Sequence, residues 1–370
     1  MKTITRFLTL GAIVAMLALP ALAKSVSVSD FALQDQCTDE GKTALYTAFV
    51  ESRKTDQDKA YENAKKYLAC PTEGATEATQ KIIEYLKKWV AAYEDLKEKQ
   101  KFPQLLYNEH KYPEAYDLGM KILTKEPENL KIMIDLGANG YLVQNLKNPT
   151  LNAEAVKDAK KALELLEGGK TVDQWTPFSG KDEAMAYLNY TIGVFALDSD
   201  PSGAIKNLLK AAQFESQLKK SPQLYALIGA AYENGPYAKQ SEEYTRLYGG
   251  KDETPESKLA LANVNQVVDR MIDAYARAVA LATDPKLASQ KQLWATSLSD
   301  WYKYRHNKTT DGMDSMVAGI LSKPLPPEPT PLTSLPAEPA TAPIGTGGTA
   351  SSTASTGAPA TAKPADPKKP

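Results

Sequence analysis

Residues 112–141, YPEAYDLGMKILTKEPENLKIMIDLGANGY, decide the fold, because they hold two helical patterns separated by a break at Pro127. In the first pattern Ala115, Gly119 and Ile122 recur at helical spacing. Small residues at such positions let two packed helices approach closely, and larger residues fill the spaces between helix pairs. The stretch therefore predicts helices that cross at short range.

The same alternation of helical stretches and short breaks runs from about residue 30 to residue 321. Residues 153–166, AEAVKDAKKALELL, place Ala and Leu on one face and keep Lys and Asp off it. No convincing period-two strand pattern appears in the sequence. We predict an all-α fold, and 370 residues with 42% hydrophobic positions are ample for a buried core.

The small residues recur in a fixed relation to Pro and Gly, in a pattern that resembles the tetratricopeptide repeat family. The positions that match a first helix are Met133, Leu136, Gly137 and Gly140, and then Tyr225, Ile228, Gly229 and Tyr232 after Pro222. Those that match a second helix are Ala115, Gly119 and Ile122, then Ala155, Ala159 and Ala162, then Ala204, Leu208 and Ala211, and more loosely Ala60 with Ala64 and Ala274 with Ala278. The resemblance implies a right-handed α-solenoid of helical hairpins over residues 24–322, with irregular repeats. A generic helix bundle is the alternative.

In the family the first helix of each repeat lines a concave groove, so the resemblance also implies a binding face. The residues in register with that face are Lys131, Ile134, Ala138, Tyr141, Tyr187, Tyr190, Val194, Gln223, Ala226, Glu233 and Asn234. This mixture of aromatic, aliphatic and polar groups suits an extended peptide or a helix of a partner protein. For each tyrosine, ordinary packing between helices is the alternative.

The first 23 residues have the pattern of a cleaved secretory signal peptide. Lys2 and Arg6 form the positive region, and Ala21 and Ala23 form the small-residue cleavage site. The apolar run over residues 7–19 is shorter than the roughly 20 residues that span a bilayer, which disfavours an uncleaved anchor. We expect an exported bacterial protein, periplasmic or secreted, with no stable membrane insertion after cleavage.

Export would place the two cysteines in an oxidising compartment, where a disulfide persists. Cys37 opens one predicted helix and Cys70 closes the next, so an antiparallel hairpin would bring the two sulfurs together. We predict a Cys37–Cys70 disulfide. Two separate buried thiols are the alternative, and the spacing is not that of a Cys-x-x-Cys redox pair.

After residue 322 the composition changes abruptly to Pro, Ala, Thr, Ser and Gly. Such a sequence buries too little apolar surface to fold, so residues 323–370 are predicted to be a disordered tail with an extended Pro-rich first part. A plain spacer is favoured over a tail that touches a partner or the cell envelope.

The residues offer little for catalysis, since the chain has two His and two Cys. His110 and His306 lack metal-ligand spacing and are predicted to be surface residues. We expect no enzyme activity, no metal and no cofactor. A net charge of −1 gives no basic field for nucleic acid. The composition and motifs favour a scaffold or adaptor that binds a protein or peptide; a structural envelope component with the tail as spacer is the alternative.

Overall fold

The computed structural model describes residues 37–335, and over this range the regular secondary structure is all helical, with no strand. The all-α prediction is confirmed. Chain contacts divide the protein after Lys101 into two compact units. The α-helices are α1 (Asp39–Ser52), α2 (Gln57–Leu68), α3 (Glu77–Pro103), α4 (Tyr112–Lys125), α5 (Leu130–Ala138), α6 (Gly140–Val143), α7 (Pro149–Glu167), α8 (Lys181–Ala196), α9 (Pro201–Gln213), α10 (Pro222–Tyr232), α11 (Ala238–Tyr248), α12 (Pro255–Leu281), α13 (Ala288–Arg305) and α14 (Met313–Gly319).

The N-terminal unit is built on the hairpin of α1 and α2, against which α3 packs. Its core contains Leu45, Phe49, Ala60 and Leu86, all without exposed surface or nearly so. The predicted disulfide is present, with the Cα atoms of Cys37 and Cys70 5.3 Å apart. It joins the chain just before α1 to the chain just after α2, and so closes the open end of this hairpin.

Helix starts in the C-terminal unit follow from local chemistry. The side chains of Asn129, Asn148 and Asp200 accept hydrogen bonds from backbone N–H groups in the first turns of α5, α7 and α9. Each cap satisfies donors that have no partner inside the helix, a contribution of about 1 kcal/mol. These three helix starts therefore have a geometry that the capping side chains define.

The C-terminal unit has three core clusters that follow one another along the chain. The first lies among α4, α5 and α7, the second among α5, α7 and α8, and the third extends from α8 to α13. Each helix contacts its neighbour in sequence or the one after it, as in α5 with α7, α8 with α9, and α10 with α12. Packing is thus largely local in sequence.

Glycine and alanine allow these helices to approach closely. A Cβ atom added to Gly137 would lie 2.6 Å from the Cα atom of Ala159 on α7. One added to Gly140 would lie 2.8 Å from the Cβ atom of Ala155 and 2.5 Å from Thr191 Cγ2. Real side chains do not tolerate such distances against backbone. The small residues that define the sequence pattern are therefore crossing points.

The aromatic residues near the end of the helical part take part in packing. Tyr302 is buried, and Trp294, Trp301 and Tyr304 are half-buried against the third core cluster. The ring centroids of Trp301 and Tyr237 are 4.6 Å apart at an edge-to-face angle of 71°. The rings of this region thus cover the last core cluster.

The start of the predicted tail differs from expectation. Residues 323–332 are extended, as predicted, but they lie along α12 and are not a free spacer. Arg277 donates to the carbonyl oxygens of Lys323 and Pro324, at 3.0 and 2.9 Å. The reason is that a proline-rich backbone keeps its carbonyl acceptors and finds donors on α12. Residues 336–370 and the predicted signal peptide lie outside the described residues.

Replacing Cys37 and Cys70 together by Ser is expected to lower the free energy of unfolding of the N-terminal unit by about 3 kcal/mol, because the unfolded chain regains loop entropy. Urea denaturation followed by circular dichroism, under oxidising and reducing conditions, measures the loss. The double variant should match the reduced parent protein. An unchanged unfolding midpoint in both comparisons would contradict a stabilising role for the disulfide.

Gly137→Ala is expected to lower the free energy of unfolding by about 2 kcal/mol or more, because the added methyl group clashes with the Ala159 backbone. Gly319→Ala in α14 is the matched control, since an added Cβ there meets nothing within 4 Å. That change should be neutral or stabilising by up to about 1 kcal/mol. Equal unfolding midpoints for the two variants would refute the close crossing of α5 and α7.

Candidate interaction surface

Four aromatic side chains from three parts of the C-terminal unit form one group, here called the aromatic cluster. Its members are Tyr141 of α6, Tyr187 and Tyr190 of α8, and Phe178 of the segment that precedes α8. Ring centroids lie 6.1 Å apart for Tyr141 and Tyr187, 5.3 Å for Tyr141 and Tyr190, and 5.8 Å for Phe178 and Tyr187. Tyr190 is buried, whereas the other three residues are half-buried.

The position of Tyr141 depends on the crossing of α6 with α8. Its backbone N–H donates to the Thr191 hydroxyl at 3.3 Å, and that hydroxyl donates to the Ala138 carbonyl at 3.5 Å. Thr191 has no exposed surface, and its methyl group fills the space left by Gly140. A short helix is thus fixed to α8 beside Tyr187 and Tyr190.

The segment that carries Phe178 is held by a buried carboxylate, Glu183. Its oxygens accept from the backbone N–H of Ser179 at 2.8 Å and of Gln217 at 3.4 Å. Burial acts to raise the pKa of Glu183, but these donors outweigh it and hold the pKa below its usual value. The ionised side chain therefore ties two connecting segments to the start of α8.

The tyrosine hydroxyls of the cluster stay neutral at physiological pH. Burial raises the pKa of Tyr141 and that of Tyr190 to about 12. Within the part of the chain that the structure describes, the hydroxyls of Tyr141 and Tyr187 have no hydrogen-bond partner. They can therefore donate to a ligand while their rings supply apolar contact.

A polar network lies on α5, where the predicted groove begins. Lys131 forms an ion pair with Asp135, which also accepts from the Tyr107 hydroxyl at 2.9 Å. The Asn139 amide donates to the same Tyr107 hydroxyl at 3.1 Å and to the Asp135 carbonyl at 2.8 Å. The side chains of Lys131 and Asp135 differ in exposure, at 30% and 3%, so only the lysine offers contact area.

The structure separates the predicted groove residues into buried and accessible groups. Ile134, Ala138, Tyr190, Val194 and Ala226 are all less than a tenth exposed and belong to core clusters. The accessible or partly accessible ones are Lys131, Tyr141, Tyr187, Gln223, Glu233 and Asn234.

The structure brings Tyr141, Tyr187 and Tyr190 together, and the other accessible residues join no ring contact with them. Glu233 instead accepts from the Tyr275 hydroxyl at 3.0 Å, whereas Gln223 and Asn234 are exposed on and after α10. The groove prediction thus reduces to a smaller accessible surface around Tyr141 and Tyr187.

Sequence reasoning missed Phe178, Glu183, Tyr107 and Asp135. Asp135 follows Lys131 at the spacing of an i, i+4 ion pair, and that signal was available in the sequence. Phe178 lies in a connecting segment, and Tyr107 lies in the π-helical turn Gln104–Asn108 that follows α3. Both are outside the helical repeat pattern on which the prediction relied. The two histidines, in contrast, are exposed as predicted.

No protein-family model, curated protein or solved structure matches the chain at a significant level. The resemblance to the tetratricopeptide repeat therefore stays a prediction. Across residues 37–335, no helix combines the length and apolar character needed to cross a membrane. Over the same range, no group of three His, Cys, Asp or Glu side chains is arranged to hold a metal ion.

Two buried carboxyl groups lie in the helices that support this surface. Burial raises the pKa of Asp135 on α5 to about 6, although Lys131 and Tyr107 act in the opposite direction. Burial also raises the pKa of Asp158 on α7 to about 7, and Asp158 Oδ2 has no hydrogen-bond partner among the described residues. Both groups retain a proton in the folded chain at a pH where an unfolded Asp has lost it.

The free energy of unfolding is therefore expected to fall as pH rises from about 4 to about 7, since the folded state binds more protons than the unfolded state there. Asp158→Asn removes one of the two groups. Relative to the parent protein, its free energy of unfolding should be higher at pH 8 than at pH 4 by up to about 4 kcal/mol, since the pKa is raised by about three units. Urea denaturation at a series of pH values measures the difference. Asp173→Asn, at an exposed position, is the control and should follow the parent at every pH.

Proposed function

We propose that this chain is an exported protein-binding scaffold, built of tetratricopeptide-like helical hairpins, that holds an extended peptide or a helix of a partner protein. The observation that carries the proposal is the aromatic cluster: half-buried rings of Tyr141, Tyr187 and Phe178 with unpaired tyrosine hydroxyls among the described residues. Aromatic residues of this kind dominate binding energy at protein interfaces.

The hydrogen bonds that hold the rings in place favour recognition of a partner by a preformed surface. Thr191 and Glu183, both buried, fix α6 and the segment carrying Phe178 against α8. Rings held in place lose little entropy on binding, so more of the contact energy appears as affinity. Lys131 on α5 is a partly exposed polar group at the start of the predicted groove, and its charge is already paired with Asp135.

Export is supported by the disulfide, because such bonds persist in oxidising compartments. The signal sequence that suggests the periplasm or the exterior lies outside the described residues. The solenoid arrangement is supported by the sequential packing of α5, α7, α8, α9 and α10 and by the glycine and alanine crossings.

The aromatic cluster is expected to bind peptides rich in apolar and aromatic residues, with affinity that depends little on salt because charge contributes little. Peptides selected from a random displayed library against the intact chain would be measured by calorimetry at low and high NaCl. Tyr141→Ala with Tyr187→Ala should weaken the selected peptides by at least about tenfold, the loss of roughly 1.4 kcal/mol or more that truncating an aromatic anchor causes.

The matched control is Tyr244→Ala with Tyr248→Ala on α11, a second pair of half-buried tyrosines whose ring centroids lie 5.5 Å apart. This variant should bind the selected peptides as the parent does. Circular dichroism checks that both double variants are folded. Equal binding by the two variants would reject the aromatic cluster as the working surface and favour the alternative of a structural envelope component.

A further inference from the structure

Helix α12 carries four hydrogen-bonding side chains in a single stripe, here called the donor stripe: Asn263, Gln266, Arg270 and Arg277. Their spacings of three, four and seven residues place them on one face of the helix. Each of them donates to a backbone carbonyl of residues 323–332, here called the proline-rich segment. The stripe is thus a row of donors that follows one extended chain.

The register of these bonds is regular and antiparallel to α12. Arg277 donates to Lys323 and Pro324, Arg270 to Pro327 at 2.7 Å, and Gln266 to Thr330 at 3.3 Å. From Pro324 to Pro327 a polyproline II chain advances about 9 Å, and seven residues of helix advance about 10 Å. Donors and acceptors therefore stay nearly in step over this interval. From Arg270 to Gln266 the helix advances about 6 Å and the segment about 9 Å, a difference that the long side chains of the stripe span.

Asn263 ends the row with a two-way contact to Leu332. Its amide donates to the Leu332 carbonyl at 3.2 Å, and its carbonyl oxygen accepts from the Leu332 N–H at 2.7 Å. Leu332 has a backbone N–H, which the five prolines of the segment lack. The stripe thus offers donors to carbonyl oxygens of Pro324, Pro327 and three non-proline residues of the segment, and it offers an acceptor to the N–H of Leu332.

The burial pattern shows which face of the segment meets the domain. Pro326, Pro329 and Leu332 are half-buried and recur every three residues, the period of a polyproline II helix. Leu325 is half-buried too and packs on the third core cluster. The intervening Pro327, Thr330 and Pro331 are exposed. One side of the segment is thus covered through its proline and leucine side chains.

Arg277 is a buried side chain that holds the start of the proline-rich segment. It is 4% exposed, its Nε pairs with Asp273 at 2.7 Å, and its Nη2 donates to the carbonyl oxygens of Lys323 and Pro324. A buried guanidinium is stable only when its N–H groups have acceptors, and here the Lys323 and Pro324 carbonyls provide them. The recognition uses main-chain carbonyls, so it does not depend on the side chains of the segment alone.

We propose that the donor stripe of α12 is a binding site for a proline-rich extended segment of a partner protein. The chain's own proline-rich segment occupies this site and blocks it. The ligand class follows from the chemistry: carbonyl acceptors, few N–H donors, and an apolar residue at every third position. The site is independent of the aromatic cluster. The tethered segment competes at a local concentration of about 1 mM, so a free ligand binds only after release.

The test uses a fluorescein-labelled peptide with the sequence of residues 323–332, KPLPPEPTPL, titrated with the full chain and followed by fluorescence anisotropy. A released variant combines Leu325→Ser, Pro326→Gly and Pro329→Gly, which removes the half-buried contacts of the resident segment. It should bind the peptide at least about tenfold more tightly than the intact chain, because the internal competitor is lost.

The matched control combines Leu335→Ser, Pro327→Gly and Pro331→Gly, the same residue changes at exposed positions, and should bind as weakly as the intact chain. Adding Gln266→Ala and Arg270→Gln to the released variant should reverse the gain. Circular dichroism verifies that each protein is folded. Binding by the folded released variant no tighter than by the control, or a gain that survives loss of Gln266 and Arg270, would overturn the proposal.

Discussion

The close crossing of α5 with α7 is the constraint on which the rest of the C-terminal unit depends. Gly137 leaves room for the Ala159 backbone, and Gly140 leaves room for Ala155 and Thr191. Because packed interiors have few voids, a larger side chain at either glycine would move α7 and α8 outward together. The aromatic cluster would move with them, since Tyr141 is fixed to α8 through Thr191.

The buried polar residues of this unit differ in their hydrogen-bond partners and therefore in their roles. Glu183 fixes two connecting segments through backbone donors, and Arg277 fixes the proline-rich segment through backbone acceptors. Asp135 has partners, whereas one oxygen of Asp158 has none among the described residues. A buried carboxyl without donors retains its proton, so the same burial that raises its pKa costs stability when the group ionises. Some ionisable groups in the core, Glu183 and Arg277, therefore hold segments in place. Others, Asp135 and Asp158, make the free energy of unfolding depend on pH.

Two surfaces of the C-terminal unit differ in the chemical groups that they present. The aromatic cluster presents partly exposed rings and hydroxyl donors, groups that would suit side chains of a partner. The donor stripe offers amide and guanidinium groups to main-chain carbonyls, which suits a backbone that lacks N–H groups. A proline-rich chain has few conformations to lose, so it binds such a row at low entropic cost.

The sequence by itself determined the all-α class and the helix starts at Asn and Asp. It also determined the small residues at helix crossings and the cysteine pair. Each of these features depends on local spacing or on helices that are neighbours in sequence. Tertiary structure alone decided which groove residues are accessible: helical periodicity places Ile134 and Tyr187 on a face, but what covers that face comes from other helices. Tertiary structure also decided that the proline-rich segment packs on α12, through hydrogen bonds between residues 46 to 69 positions apart in the sequence. Composition indicates whether a segment can fold by itself, but it does not indicate which hydrogen-bond donors the segment will meet.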